Sequence, residues 1–162
     1  MPSLKRALIV GIGNELLGDE GLGVHVARHL HSAPGILPPG VDVIEAGTAL
    51  FSVLAEASDY GRVILIDALR AGRRPGTVYR LELEGEFGPG LGEPTWLSLH
   101  QQDLFATLVN ARLMGLLPSR LTLFGVEPAR LRPALKLSPA VRNALPRIVS
   151  KVLAEVADQG HA

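Results

Sequence analysis

Two uninterrupted apolar runs constrain this chain most. Residues 7–11 read Ala-Leu-Ile-Val-Gly, and residues 62–68 read Arg-Val-Ile-Leu-Ile-Asp-Ala. Neither run alternates apolar with polar side chains, so neither suits a sheet with one face in water. Both are predicted to be strands covered on both faces. A strand buried in this way needs layers above and below it, and the intervening sequence supplies them.

A helix is predicted over about 21–32, with Leu22, Val26, Ala27 and Leu30 on one face, ending before the breaker-rich "APGILPPG". A strand is expected at 41–47, a helix at 50–58, and the second apolar strand at 62–68. Strand and helix alternate to this point, which implies parallel strands with right-handed crossovers. The rhythm then changes. "AGRRPG" is too short to carry a parallel crossover, so the alternating "TVYRLELEG" at 77–85 is predicted to be antiparallel and near an edge. A long loop around 85–96 follows, then a helix at 102–115 with Leu104, Phe105, Leu108 and Val109 inward. A last strand at 120–128 precedes a terminal helix at 138–160. Ser138 is its N-cap, Pro139 opens it, and Pro146 should kink or split it. One α/β domain over residues 1–162 is the expected organisation.

Composition narrows the function. Sixteen basic residues balance sixteen acidic ones, leaving no electrostatic footprint for nucleic acid or an anionic membrane. There are no cysteines, which removes disulfides, thiolate ligands and a cysteine nucleophile and fits a reducing cytoplasm. The apolar start at residue 7 is too short for a signal peptide, and no segment approaches the ~20 apolar residues of a membrane span. A cytoplasmic monomer is the expectation.

The loop after the first strand, "GIGNELLGDEGLG", opens like a dinucleotide-binding turn. Its third glycine would fall at position 16, which is Leu16, and two carboxylates, Asp19 and Glu20, follow where phosphate would sit. In open α/β sheets, ligands collect beyond the carboxyl ends of the strands. Three ionisable positions are predicted there: Glu20 after the first strand, Asp67 ending the third, and His100 in the loop before the 102–115 helix. Singly, each has a structural reading as a helix-dipole acid, a turn cap or a loop histidine. Together, two carboxylates and an imidazole suit a divalent transition metal with positions left open, and a carboxylate pair can also move protons. His25 and His29 are four apart on one helix face but lack a carboxylate partner, and are read as solvated. His31 and His161 are read as surface or terminal residues. No zincin helix, nucleophile elbow or Walker loop is present, and nothing beyond the proximity of Ser98 to His100 suggests a serine nucleophile.

"VGIGNELLGDEGLGVHV", "VIEAGT", "VILIDAL", "PGTVYRLE", "LSLHQQDL" and "LTLFGVEP" occur in this order between about residues 7 and 155, and in this they resemble the hydrogenase maturation endopeptidases. The resemblance implies a three-layer αβα sandwich around a mostly parallel, twisted sheet of about five strands. It implies removal of a short C-terminal peptide from the nickel-loaded large-subunit precursor of a nickel–iron hydrogenase, with nickel presented by that precursor and no tightly bound cofactor of the enzyme's own. Carried over by motif, the metal-contacting and catalytic residues are Glu20, Asp67 and His100. Asp19 is expected to hold the loop or cap the helix. The D-G-G-T of many relatives reads Glu45-Ala46-Gly47-Thr48 here, and no catalytic role is carried onto Glu45. A non-enzymatic, nickel-checking chaperone of the same precursor is the alternative.

Overall fold

The computed structural model describes residues 4–83 and 99–158, with the backbone alone at 99–102. Five strands form one sheet, β1 (Ala7–Ile12), β2 (Val41–Gly47), β3 (Arg62–Ala68), β4 (Val78–Glu82) and β5 (Arg120–Val126), in the spatial order β2-β1-β3-β5-β4. The first four neighbours in that order run parallel, and β4 pairs antiparallel with β5 at the edge. Among the described residues four α-helices accompany the sheet: α1 (Leu22–His31), α2 (Leu50–Leu54), α3 (Leu99–Leu113) and α4 (Pro139–Ala157).

The apolar runs work as expected. Every residue of β1 and β3 is buried. Side chains alternate between two cores because successive strand residues face opposite sides. Ile9, Ile64, Ile66 and Phe124 pack with Leu22, Val26 and Leu30 of α1 and Val141, Ile148 and Val152 of α4. On the other face Leu8, Val10, Leu65 and Leu123 pack with Leu50 and Leu54 of α2 and Leu104 and Leu108 of α3. Each fully buried aliphatic side chain contributes roughly 1.5–3 kcal/mol. The result is three layers, with α1 and α4 on one face and α2 and α3 on the other.

α1 lies unusually close to the sheet. A Cβ on Gly23 would stand 2.0 Å from the Ile66 carbonyl oxygen and 2.4 Å from that of Ile12, so the first turn of the helix rests on the backbone of β1 and β3. This brings the loop between β1 and α1 over the carboxyl edge of the sheet.

Four expectations are refined. The helix expected at 50–58 stops at Leu54, and a separate 3-10 turn covers Ala57–Asp59. Val109 is half-buried, and Ala111 completes the inner face of α3. His100 was expected in a loop, yet the helix begins at Leu99, placing His100 in its first turn. α4 runs unbroken through Pro146. That proline is on the exposed face, as is Arg142 four residues earlier, so water can take the place of the helical donor that proline removes. The 85–96 loop, Ser98 and His161 lie outside the described residues.

Candidate functional site

The strand order reverses direction beside β1. The chain steps from β1 to β2 on one side and returns to β3 on the other, and such a switch point leaves a crevice at the carboxyl edge. A cleft of about 250 Å³ occupies it, lined by Gly13, Asn14, Glu20, Thr48, Asp67 and Asp103 among others.

Asp67 is the floor. It ends β3, is wholly buried, and its Oδ1 accepts from the Ala68 amide at 2.8 Å. Glu20 reaches the cleft from a 3-10 turn, Gly18–Gly21, and is half-buried. Gly13 makes the juxtaposition possible. Its φ of 120° is a glycine conformation, and its amide donates to the Gly47 carbonyl at 2.9 Å. A Cβ there would stand 1.8 Å from the Glu20 carbonyl oxygen and 3.3 Å from Asp67 Oδ1. The glycine turn thus sets the Glu20 backbone next to Asp67.

Asp19 serves a different purpose from its neighbour. It is wholly buried and accepts from the amides of Ala129 (2.9 Å), Arg130 (3.1 Å) and Ser138 (2.7 Å) and from the Ser138 hydroxyl (2.8 Å). Ser138 Oγ in turn accepts from the Val141 amide at the start of α4. Asp19 therefore anchors the loop bearing Glu20 to the β5–α4 connection.

α3 supplies the far wall through Asp103, Leu104 and Thr107. His100 stands one helical turn before Asp103 and Leu104, a spacing that places the positions on one face; its side chain lies outside the described residues. The described residues alone hold no group of three metal-ligating side chains. Sequence reasoning missed Asp103, although its spacing of three from His100 was available as a signal.

A second depression of about 390 Å³ adjoins the cleft and shares Gly13, Asn14, Gly47 and Thr48 with it. Arg28 crosses this depression, paired with Glu15 at 3.1 Å and Glu45 at 3.3 Å. Glu45 is thus an ion-pair partner outside the cleft. His25 and His29 differ in environment. His29 is exposed, as expected, but His25 is half-buried, and burial, followed by the nearby Arg28 charge, lowers its imidazole below the usual range. His31 donates from Nε2 to the Val43 carbonyl at 2.8 Å.

Two carboxylates meeting in a crevice, one desolvated, can ligate a divalent cation delivered from outside or hold a water for attack on a carbonyl. Among the described residues no helix is long and apolar enough to cross a membrane.

Comparison with known proteins points the same way. A family model described as hydrogenase maturation protease matches residues 24–155. The hydrogenase 2 maturation protease of Escherichia coli strain K12 is 34% identical over 156 residues, 96% of this chain and 93% of that protein. The hydrogenase expression/formation protein HupD of Rhodobacter capsulatus is 31% identical, over 96% of this chain and 74% of that protein. Among solved structures, the hydrogenase maturating endopeptidase HybD from Escherichia coli superposes with a TM-score of 0.75 at 33% identity, covering 96% of this chain and 94% of that one. A hydrogenase 2 maturation peptidase from Thaumarchaeota archaeon SCGC_AB-539-E09 gives 0.70 at 31%, covering 94% and 98%.

Proposed function

The chain belongs to the hydrogenase maturation proteases, and from that premise we propose that Glu20, Asp67 and His100 grip the nickel of a hydrogenase large-subunit precursor while a short C-terminal peptide is cut from it. The activity is peptide-bond hydrolysis, and the substrate is the large-subunit precursor. The observation that carries the assignment of residues is the Gly13 turn, which sets Glu20 against the buried Asp67 in a cleft at the carboxyl edge of the sheet.

The nickel arrives with the substrate, so the enzyme needs ligands that face an open crevice and no resident metal. Glu20 and Asp67 supply oxygen donors, and His100, at the start of α3, supplies a nitrogen donor. Holding the nickel fixes the scissile bond relative to the cleft. The metal then polarises the carbonyl or activates a water; if it serves only as a handle, Asp67 or Glu20 takes the proton from the attacking water.

Intact mass spectrometry of the nickel-loaded precursor incubated with this protein tests the proposal. Loss of a C-terminal peptide is expected, dependent on nickel and abolished in Glu20→Gln. An unchanged mass despite stable complex formation would instead establish a chaperone that inspects the precursor without cutting it. Cleavage of nickel-free precursor that disappears in Asp67→Asn would assign the base to Asp67.

A further inference from the structure

Next to the cleft, two segments of chain lie side by side. The Gly18 amide donates to the Ala134 carbonyl at 2.8 Å, the Ala134 amide donates to the Leu16 carbonyl at 3.0 Å, and Leu17 and Ala134 form a parallel bridge. From the inside, the Asp19 carboxylate holds the Ala129 and Arg130 amides. Two irregular segments are thereby fixed to each other and to the turn that carries Glu20.

These segments present three leucines outward. Leu16 is 60% exposed, Leu135 72% and Leu131 36%. A rigid pair of loops gains nothing in its own fold from showing three leucines to water, and a cluster of exposed apolar side chains is the usual mark of a protein-binding surface. Around them Arg130, Arg132 and Lys136 are exposed, and residues 129–137 contain no acid. An apolar centre with a charged rim is the anatomy of a protein–protein contact. Leu16 also lines the depression that shares Gly13, Asn14 and Thr48 with the cleft. A chain lying in the cleft is therefore led toward this surface.

We infer that Leu16, Leu131 and Leu135, fringed by Arg130, Arg132 and Lys136, form the surface on which the folded body of the precursor docks while its tail enters the cleft. The inference rests on the peptidase reading above. The matching patch on the precursor is apolar with an acidic border. The occupant is argued from continuity with the cleft and from the charge of the rim. A crevice of about 250 Å³ admits only a few residues of a tail, whereas a stable encounter with a folded protein buries a much larger area. Because the loops are already fixed, little ordering entropy is lost when they are covered. The Asp19 anchor sets the distance between the docked body and Glu20, so the surface also positions the bond to be cut.

The test compares Leu16→Asp and Leu135→Asp with Leu113→Asp. Leu113 is 80% exposed but ends α3 at the opposite edge of the sheet. Dissociation constants for the nickel-loaded precursor are measured by biolayer interferometry, and KM and kcat by intact-mass cleavage, with thermal melts to show that each variant folds. The first two variants are expected to raise Kd and KM about tenfold, the equivalent of ~1.4 kcal/mol, with much smaller change in kcat, and Leu113→Asp is expected to change neither. Weaker binding at raised salt should accompany wild type and flatten in Arg130→Ala/Arg132→Ala. Kd values for both leucine variants within twofold of wild type overturn the surface. If wild type binds the precursor but leaves its mass unchanged, the peptidase reading falls, and the Kd comparison alone still decides the surface.

Discussion

At the scale of single residues the site depends on what is absent at position 13. Any side chain there meets the Glu20 carbonyl oxygen at 1.8 Å, a separation no relaxation of a flexible tip can relieve because the obstacle is backbone. It would also have to hold a φ of 120°. Gly13→Ala is expected to displace the Glu20 turn, remove precursor cleavage below detection, and destabilise the fold by roughly 1–3 kcal/mol or more, measured by urea denaturation beside the mass assay. The adjacent acids separate by the same logic. Glu20 faces the cleft, whereas Asp19 spends its lone pairs on three amides and a hydroxyl. Asp19→Ala would strand the buried Ser138 amide and hydroxyl at about 1–3 kcal/mol for each group left unsatisfied. A fall in the urea midpoint well beyond that of an exposed control such as Glu56→Ala is the expected result, and a stability close to wild type would remove the anchoring role. From sequence alone the two acids were distinguishable only by resemblance, because the partners of Asp19 lie more than a hundred positions away.

At the scale of elements, strands were the legible part. The stretches at 7–12 and 63–66 carry no charged side chain because both faces are covered, and the short turn before β4 forced its antiparallel direction. Helix ends were less legible. The apolar pattern of α3 begins only at Leu104 and so predicts a loop at His100, whereas the helix starts earlier. Asp103 escaped notice because a lone exposed acid on a helix looks solvated until the opposite wall is known. A proline inside a helix predicts a kink or break at Pro146, but its exposed position lets water satisfy the carbonyl it orphans. Pro146→Ala is therefore expected to restore a helical hydrogen bond and stabilise the protein by ~1–2 kcal/mol, less than the ~3 kcal/mol propensity difference because proline also restricts the unfolded chain; a lower denaturation midpoint would contradict it. β4 carries a pH dependence. Glu127, almost fully buried, accepts from the Ala71 and Gly72 amides and from the Tyr79 hydroxyl at 2.6 Å. Burial, and after it the Glu127 carboxylate, push the Tyr79 phenol up to about 12 from 10.0. The fold thus favours the protonated phenol. That contribution is complete below pH 10 and is lost as pH rises toward 12. Stability measured across this window should fall more steeply in wild type than in Tyr79→Phe.

At the scale of the whole molecule the two edges of the sheet divide the work. The carboxyl edge holds the cleft and the exposed leucines, features that cost stability or add none. The amino edge holds a compensating lock. Arg62 opens β3 with only 7% exposure, and it bonds the Glu155 carboxylate of α4, the Glu155 carbonyl at 3.0 Å and Thr122 Oγ1 of β5 at 3.3 Å. Arg80 of β4 joins the same carboxylate at 2.8 and 2.9 Å. One carboxylate therefore ties β3, β4 and α4 together. Burial, and after it the neighbouring Arg120 and Arg80, already disfavour the charged Arg62 guanidinium, so removing Glu155 leaves a desolvated cation without its counter-charge. Breaking a buried pair from one side costs roughly 3–5 kcal/mol, and Glu155→Ala is expected to lose about that much in urea denaturation. The lock lies at the far edge from Glu20 and Asp67, so kcat and KM for precursor cleavage, corrected for the folded fraction at low temperature, should match wild type. A variant that kept its stability would show the lock to be dispensable. One that stayed folded yet lost activity would show that the two edges are coupled through the sheet, and that the cleft depends on the packing of α4 as well as on the loops that line it.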